Sequence, residues 1–204
     1  MASGRSDSSS SCRRRLRAAS LWILLAALGG CSSDPSPRPD SRLGPLGDLV
    51  DVDERMAIDN LSGPVDVVRD LHGRVHIYAT TLADAYRVHG YVAARDRHLQ
   101  LDFLRRQAQG RVAAVLGNLS SALIEEDIAM RHLGLGRVAE ALYDSLQEGR
   151  EKEVLDAYAD GVTQLFRRIR SGEQPLPDAI ANRAVPVVPR SAFTDWSGAD
   201  TLAI

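Results

Sequence analysis

Apolar and polar positions alternate in two short runs between residues 63 and 79. A period of two is typical of β-strands, whose successive side chains point to opposite faces. In the first run, Val65 and Val67 alternate with Asp66 and Val68. In the second, Val75, Ile77 and Ala79 alternate with His76 and Tyr78. Asp-Leu-His-Gly at 70–73 separates them and has the residue types of a tight turn. The pattern predicts a β-hairpin.

From Leu82 onward, apolar residues recur every three or four positions, which is typical of helices that bury one face. Thr80 or Thr81 can cap the first helix. Within the second stripe, Gly110 can interrupt the helix, and Gly117 is a candidate C-cap. The apolar stripes are Leu82, Ala85, Tyr86, His89, Val92 and Ala93, and then Leu101, Leu104, Ala108, Val112 and Val115.

Two more helices are predicted at 136–147 and 150–169. The second has acidic residues in its first turn and Arg167 and Arg168 in its last, as the helix dipole favours. Its apolar face is Val154, Tyr158, Val162, Leu165, Phe166 and Ile169. The stretch 171–198 contains four prolines and is predicted to be mostly loop, and ADTLAI (199–204) begins a new apolar segment.

These elements predict an α+β fold in which a hairpin is followed by helices. A two-stranded sheet is marginally stable by itself and leaves both edges unpaired. We therefore expect the segment 62–204 to be the opening part of a larger domain.

The N-terminus has the pattern of an export signal. RRRLR (13–17) precedes the uncharged run AASLWILLAALGG (18–30), which is too short to span a bilayer and suits a secretory h-region. Leu28-Gly29-Gly30-Cys31 then resembles the lipobox of bacterial lipoproteins. We predict a signal peptide at 1–30 and lipidation of Cys31, against an ordinary signal peptide cut near Gly30. The expected location is the periplasm or the outer membrane of a Gram-negative bacterium.

Residues 31–61 are predicted to be a tether and lead-in, because four prolines and several serines occur within 32–45. The charge also changes after the signal. Residues 1–30 hold five arginines and one aspartate, so the remainder has 20 basic and 26 acidic residues, a net charge of −6. We therefore expect no nucleic-acid partner.

Candidate chemistry is sparse. His72, His76, His89 and His98 lack the spacing of a zinc site, and we interpret them as surface or satisfied core histidines. There is no G-x-S-x-G run or glycine-rich phosphate loop, and nothing marks Ser62 or Ser197 as a nucleophile. No cysteine follows Cys31, which excludes a disulfide in the exported part. We predict no catalytic, cofactor-binding or metal-binding residue in this chain.

Arg95, Asp96 and Arg97 lie within an otherwise apolar helical stretch. One interpretation is a solvated face with local ion pairs, in which Asp96 has an arginine on each side. The other is a group of charges that holds the helix against neighbouring segments.

The run 65–117 resembles the start of the penicillin acylase (penicillin amidase) family. The matches are Arg69, Asp70, Gly73, His76, Ile77, Tyr78 and Ala79; Gly90, Tyr91, Val92, Ala94, Asp96 and Arg97; and Gln100, Arg105, Arg106, Gly110, Arg111 and Gly117. The likeness continues more weakly through Asp127, Arg131, Leu133-Gly134-Leu135 and LDAYADGV (155–162) to DWSGADTLAI (195–204). The resemblance favours a structural role for Arg95, Asp96 and Arg97.

The resemblance implies an N-terminal nucleophile amidohydrolase with an αββα sandwich, of which this chain would be the front part. In the family a precursor cuts itself, and the new N-terminal serine of the second chain attacks an acyl amide while its α-amino group acts as the base. The substrates implied are β-lactams, acyl-homoserine lactones or related N-acyl compounds, and calcium is implied for the full-length family.

The chain departs from the family in one respect. The family's Ser-Asn-x-Trp run, which begins with the nucleophile, does not occur here. We therefore expect 62–204 to be a truncated α-chain portion that is inactive alone and whose partner is the β-chain of the same precursor. The alternative is a non-catalytic, membrane-anchored lipoprotein that acts as an interaction module.

Overall fold

A computed structural model describes residues 54–117, 119–176 and 188–204. The predicted signal peptide, Cys31 and most of the predicted tether lie outside these residues. None of the helices in the described ranges is both long enough and apolar enough to cross a membrane.

The first two elements form the predicted hairpin. Strand β1 (Asp66–Arg69) pairs antiparallel with strand β2 (Val75–Tyr78), and Val67 lies opposite Ile77. The register sets Val67 on the same face as Ile77, but Val67 is 41% exposed whereas Val68 is half-buried. The helix that follows packs more closely on β2 than on β1, which leaves the Val67 side of β1 open.

Helix α1 (Leu82–Gln109) joins the first two predicted stripes. Thr81 is its N-cap, and the Thr81 hydroxyl accepts the Asp84 N–H at 3.1 Å. Arg97 has non-helical angles (φ −141°, ψ 30°) and kinks the helix. Gly110 ends the helix rather than interrupting it, because its φ of 62° is left-handed. The end of the second stripe forms the short helix α2 (Ala113–Leu116), with Gly117 as its C-cap.

Two helices then follow across Gly134, whose φ is 79°. Helix α4 (Leu135–Ser145) confirms the predicted third helix, but helix α3 (Ala122–Leu133) was not predicted. The apolar residues of α3 form no buried stripe: Ile124 and Ile128 are exposed, and Asp127 is the residue of α3 that is buried. Periodicity therefore gave no signal there.

Helix α5 (Arg150–Ser171) confirms the clearest prediction and continues two residues further. The stretch that follows is mostly irregular where the structure describes it, with one 3₁₀ turn (Arg190–Ala192). Helix α6 (Gly198–Ala203) comes last and begins with a reciprocal capping box between Ser197 and Asp200. The α+β arrangement of a hairpin followed by helices is confirmed.

The core forms where α1 crosses α5, and two glycines allow the backbones to touch. A Cβ on Gly90 would lie 2.1 Å from the Tyr158 carbonyl oxygen, and one on Gly161 would lie 1.9 Å from the Arg87 carbonyl oxygen. Both obstacles are backbone atoms and cannot rotate away. The buried cluster at this crossing is Tyr91, Ala94, Ala159, Val162, Leu165, Phe166, Ile169, Phe193 and Trp196.

Replacing Gly161 by alanine should therefore destabilise the fold, although alanine is the better helix former. We expect a loss of about 3 kcal/mol in the free energy of unfolding, because α1 and α5 must move apart. Gly136→Ala is the matched control: it also lies in a helix, but its Cβ would meet nothing nearer than 3.5 Å. Urea denaturation of both variants tests this, and equal stabilities would contradict the close crossing.

Candidate functional site

The motif residues of the hairpin build its turn. The Asp70 carboxylate accepts the N–H groups of His72 and Arg74, each at 2.9 Å, and Gly73 supplies a left-handed φ of 77°. The Arg74 N–H is the main cause that lowers the pKa of Asp70; desolvation opposes it, and the His72 N–H adds to it. The Arg-Asp-x-x-Gly pattern therefore encodes the turn of the hairpin.

A second set of motif residues ties the hairpin to α1. Both carboxylate oxygens of Asp96 accept from one Nη of Arg69, each at 2.7 Å. Arg95 reaches Glu54 at 2.6 Å. The prediction that Asp96 pairs with the arginines beside it is wrong, because consecutive residues of a helix point in different directions. Its partner lies 27 positions earlier, so the charges hold α1 against neighbouring segments.

A network of buried charges lies where α1 meets the chain between Ala192 and Asp200. Asp102 accepts from Arg105 at 2.6 Å and from Arg106 at 2.7 Å, and Asp102 and Arg105 are less than 5% exposed. Arg105 also donates to the Asp195 carbonyl at 3.0 Å, and its guanidinium lies 4.9 Å from the centre of the Trp196 ring. This network, which we call the arginine clamp, consists of Asp102, Arg105, Arg106 and Asp200.

The arginine clamp fixes the segment that leads into α6. Arg106 donates to the Ala192 carbonyl, Gln109 donates to Asp200 at 2.6 Å, and Arg105 lies 3.7 Å from Asp200. Arg105 and Arg106, the paired arginines of the family pattern, thus make contacts within the fold. Sequence reasoning missed Asp102; the available signal was an aspartate three and four positions before two arginines.

A further polar network surrounds the buried Asp84. Its carboxylate accepts from the Ser62 N–H at 3.1 Å and from the Ser62 hydroxyl. Burial tends to raise the pKa of Asp84, but the bonds from Ser62 and Thr81 outweigh it, and the pKa is lowered. Arg87, 3.6 Å from Asp84, also donates to Asp160 at 2.8 Å. This network borders an open groove of about 980 Å³ beside the start of α5.

The serines considered as nucleophiles are engaged in the fold. Ser62 donates to Asp84, and Ser197 caps α6; in neither case is a histidine among the hydrogen-bond partners found within the described residues. His72, His76 and His89 are exposed, but His98 is 5% exposed and neither ring nitrogen has a partner within the described residues. The interpretation of His98 as a surface or satisfied core histidine is therefore wrong. Cys31 lies outside the described residues.

The described residues also lack a cation site. Within the described ranges, no group of three His, Cys, Asp or Glu side chains is arranged to hold a metal ion. The buried carboxylates are already used: Asp127, for example, accepts the N–H groups of Val112 and Ala113 at 2.9 and 2.8 Å. The motif residues Arg69, Asp70, Asp96, Arg105 and Arg106 all make intramolecular contacts.

Comparison with known proteins identifies a family model, curated relatives and a solved structure that are similar to this chain. The family model for penicillin amidase matches residues 64–204. Penicillin acylase 2 proenzyme of Pseudomonas sp. (strain SE83) is 42% identical over 123 residues, which are 60% of this chain and 15% of that protein. The acyl-homoserine lactone acylase QuiP of Pseudomonas aeruginosa is 32% identical over 156 residues, or 76% of this chain and 17% of that one.

A solved structure is also similar, that of a thermostable penicillin G acylase from Alcaligenes faecalis. It matches with a TM-score of 0.55 and 26% sequence identity, over 68% of each chain. The chain spans less than a fifth of the length of the two curated relatives described above. The relatives are acylases, which hydrolyse amides, and the family model covers most of this chain. The chain belongs to the penicillin amidase family of N-acyl amidohydrolases.

Proposed function

We propose that this chain is the N-terminal α-chain portion of an acylase that cleaves the acyl amide of a β-lactam, an acyl-homoserine lactone or a related N-acyl compound. The observation that carries the proposal is the family match over 64–204, within which the motif residues build the contacts that join the hairpin, α1 and α6. The names of the relatives support both substrate classes.

In this proposal the nucleophile belongs to a second polypeptide of the same precursor. Its N-terminal serine attacks the amide carbonyl, and its α-amino group takes the proton. The present chain contributes support: Arg69 and Asp96 hold the hairpin, and the arginine clamp holds the segment entering α6. Calcium, implied for the full-length family, has no fitting ligand set among the described residues, so no step here depends on it.

Reading the coding sequence downstream of codon 204 in all frames tests the proposal. A Ser-Asn-x-Trp run within the next several hundred codons would support it. An authentic stop followed by unrelated sequence would overturn it and favour the alternative, a non-catalytic lipoprotein that serves as an interaction module.

We further propose that Cys31 anchors the protein to a membrane facing the periplasm. The support is Leu28-Gly29-Gly30-Cys31, which closes the uncharged run 18–30 and adds a cysteine directly after it. A lipidated cysteine with two acyl chains is sufficient for stable attachment, whereas one chain gives only marginal binding.

Cys31→Ser should move the protein from the membrane fraction to the soluble fraction, because serine cannot form the thioether. Cys12→Ser, which lies before the apolar run, is the matched control and should leave the distribution unchanged. Fractionation with immunoblotting measures both. A membrane-bound Cys31→Ser variant would contradict the lipid anchor.

A further inference from the structure

His98 is a buried titratable group for which the proposed function has no use. It directly follows Arg97, the residue at which α1 kinks. The ring is 5% exposed, and neither nitrogen has a hydrogen-bond partner among the described residues. A buried polar group without a partner is destabilising and calls for an explanation.

The surroundings of His98 suit the neutral ring and not the charged one. The ring packs in an edge-on arrangement against Phe193, with 5.6 Å between centroids, and Phe193 is fully buried in the core. Burial lowers the pKa of His98; the nearby carbonyls of Ala94 and Arg95 and the Asp102 carboxylate oppose this shift without cancelling it. An imidazolium would carry two donors here, with only the nearby carbonyls of Ala94 and Arg95 as possible acceptors.

Charged groups approach this position from three elements. On α1, Asp102 lies one turn further along but is already held by Arg105 and Arg106. On α5, Arg170 donates to the Phe193 carbonyl at 2.6 Å. On the segment after residue 188, Asp195 is held by Arg167 and Arg170, each at 2.6 Å. These carboxylates already have cationic partners, so none is free to pair with a protonated His98.

We propose that His98 is an acid-sensitive latch between α1 and the segment 188–196: the neutral ring keeps Phe193 seated, and protonation opens the contact. The direction follows from linkage. The closed state binds the His98 proton less readily than the open state, so acidification favours opening. The closed contact is fully stable above the ordinary pKa of about 6.5 and weakens as the pH falls below it.

Hydrogen exchange at the Trp196 amide measures how readily the segment 188–196 opens. The Trp196 N–H donates to the buried Thr163 hydroxyl at 2.8 Å, so its exchange reports opening of the segment. After correction for the intrinsic pH dependence of exchange, the opening constant should rise by up to about tenfold between pH 7.5 and 5.5, which is the limit for the uptake of one proton on opening.

Two variants distinguish protonation of His98 from protonation of other groups. His98→Leu, which keeps an apolar group of similar size, should remove the rise in the opening constant. His132→Leu on α3, where the histidine is exposed, should retain it. An NMR titration of the His98 ring in the unsubstituted full chain is the second measurement and should give a pKa below 6.5. A pKa at its ordinary value, or the same rise in His98→Leu, would overturn the latch.

Discussion

Residues 1–204 alone should hydrolyse no N-acyl amide, and the polypeptide extended by its downstream coding region should be active. The reason is the nucleophile: the chain contains no Ser-Asn-x-Trp run, and Ser62 and Ser197 are engaged in hydrogen bonds of the fold. In serine hydrolases, loss of the nucleophile lowers the rate on the order of 10⁶-fold, which is more than any defect in substrate positioning is expected to cost.

A chromogenic acyl-anilide assay of both purified polypeptides measures this difference. The matched control is the extended polypeptide with alanine in place of the first serine of the downstream run, which should remain uncut and inactive. Turnover by residues 1–204 above a heat-treated sample would contradict the proposal, and attention would return to Ser62 and Ser197.

Arg105→Leu should destabilise the fold by about 3–5 kcal/mol. Arg105 is 4% exposed, and its removal leaves the buried Asp102 and Asp200 carboxylates without this cation. Asp102 keeps Arg106, but Asp200 loses the cation at 3.7 Å, and removing one member of a buried network of ion pairs is strongly destabilising. The Trp196 ring would also lose the guanidinium that stacks on it.

Arg111→Leu is the matched control for Arg105, because Arg111 is exposed and donates to the Gln109 side chain at 3.3 Å. Its effect on the free energy of unfolding should stay within about 0.5 kcal/mol. Urea denaturation of both variants decides the matter. A loss below about 1 kcal/mol for Arg105→Leu would show that the arginine clamp is not the main tie between α1 and the segment entering α6.

The parts of the fold that the sequence predicted are those with a strong local signal. The turn around Asp70 and Gly73 and the amphipathic helix α5 are encoded within a few neighbouring residues. Helix α3 was missed because its apolar side chains are not buried in a single stripe. Val67 shares a face with Ile77, as the alternation predicted, but alternation alone could not show that Val67 stays 41% exposed.

Long-range polar partners were beyond sequence reasoning. Asp96 pairs with Arg69 rather than with its neighbours, and Gln109 reaches Asp200, 91 positions away. His98 was expected to be either exposed or satisfied, and its isolation depends on how Phe193 packs on the kink of α1. The family resemblance identified many of these positions, but only the folded contacts give them a physical role.

Mass spectrometry of the protein produced from the gene with its downstream region tests the central claim most directly. The account predicts two polypeptides that purify together, one containing residues 62–204 and the other beginning with a serine followed by asparagine. A single uncut polypeptide with amidase activity, or a product that ends at Ile204 in cells with no second chain, would contradict it.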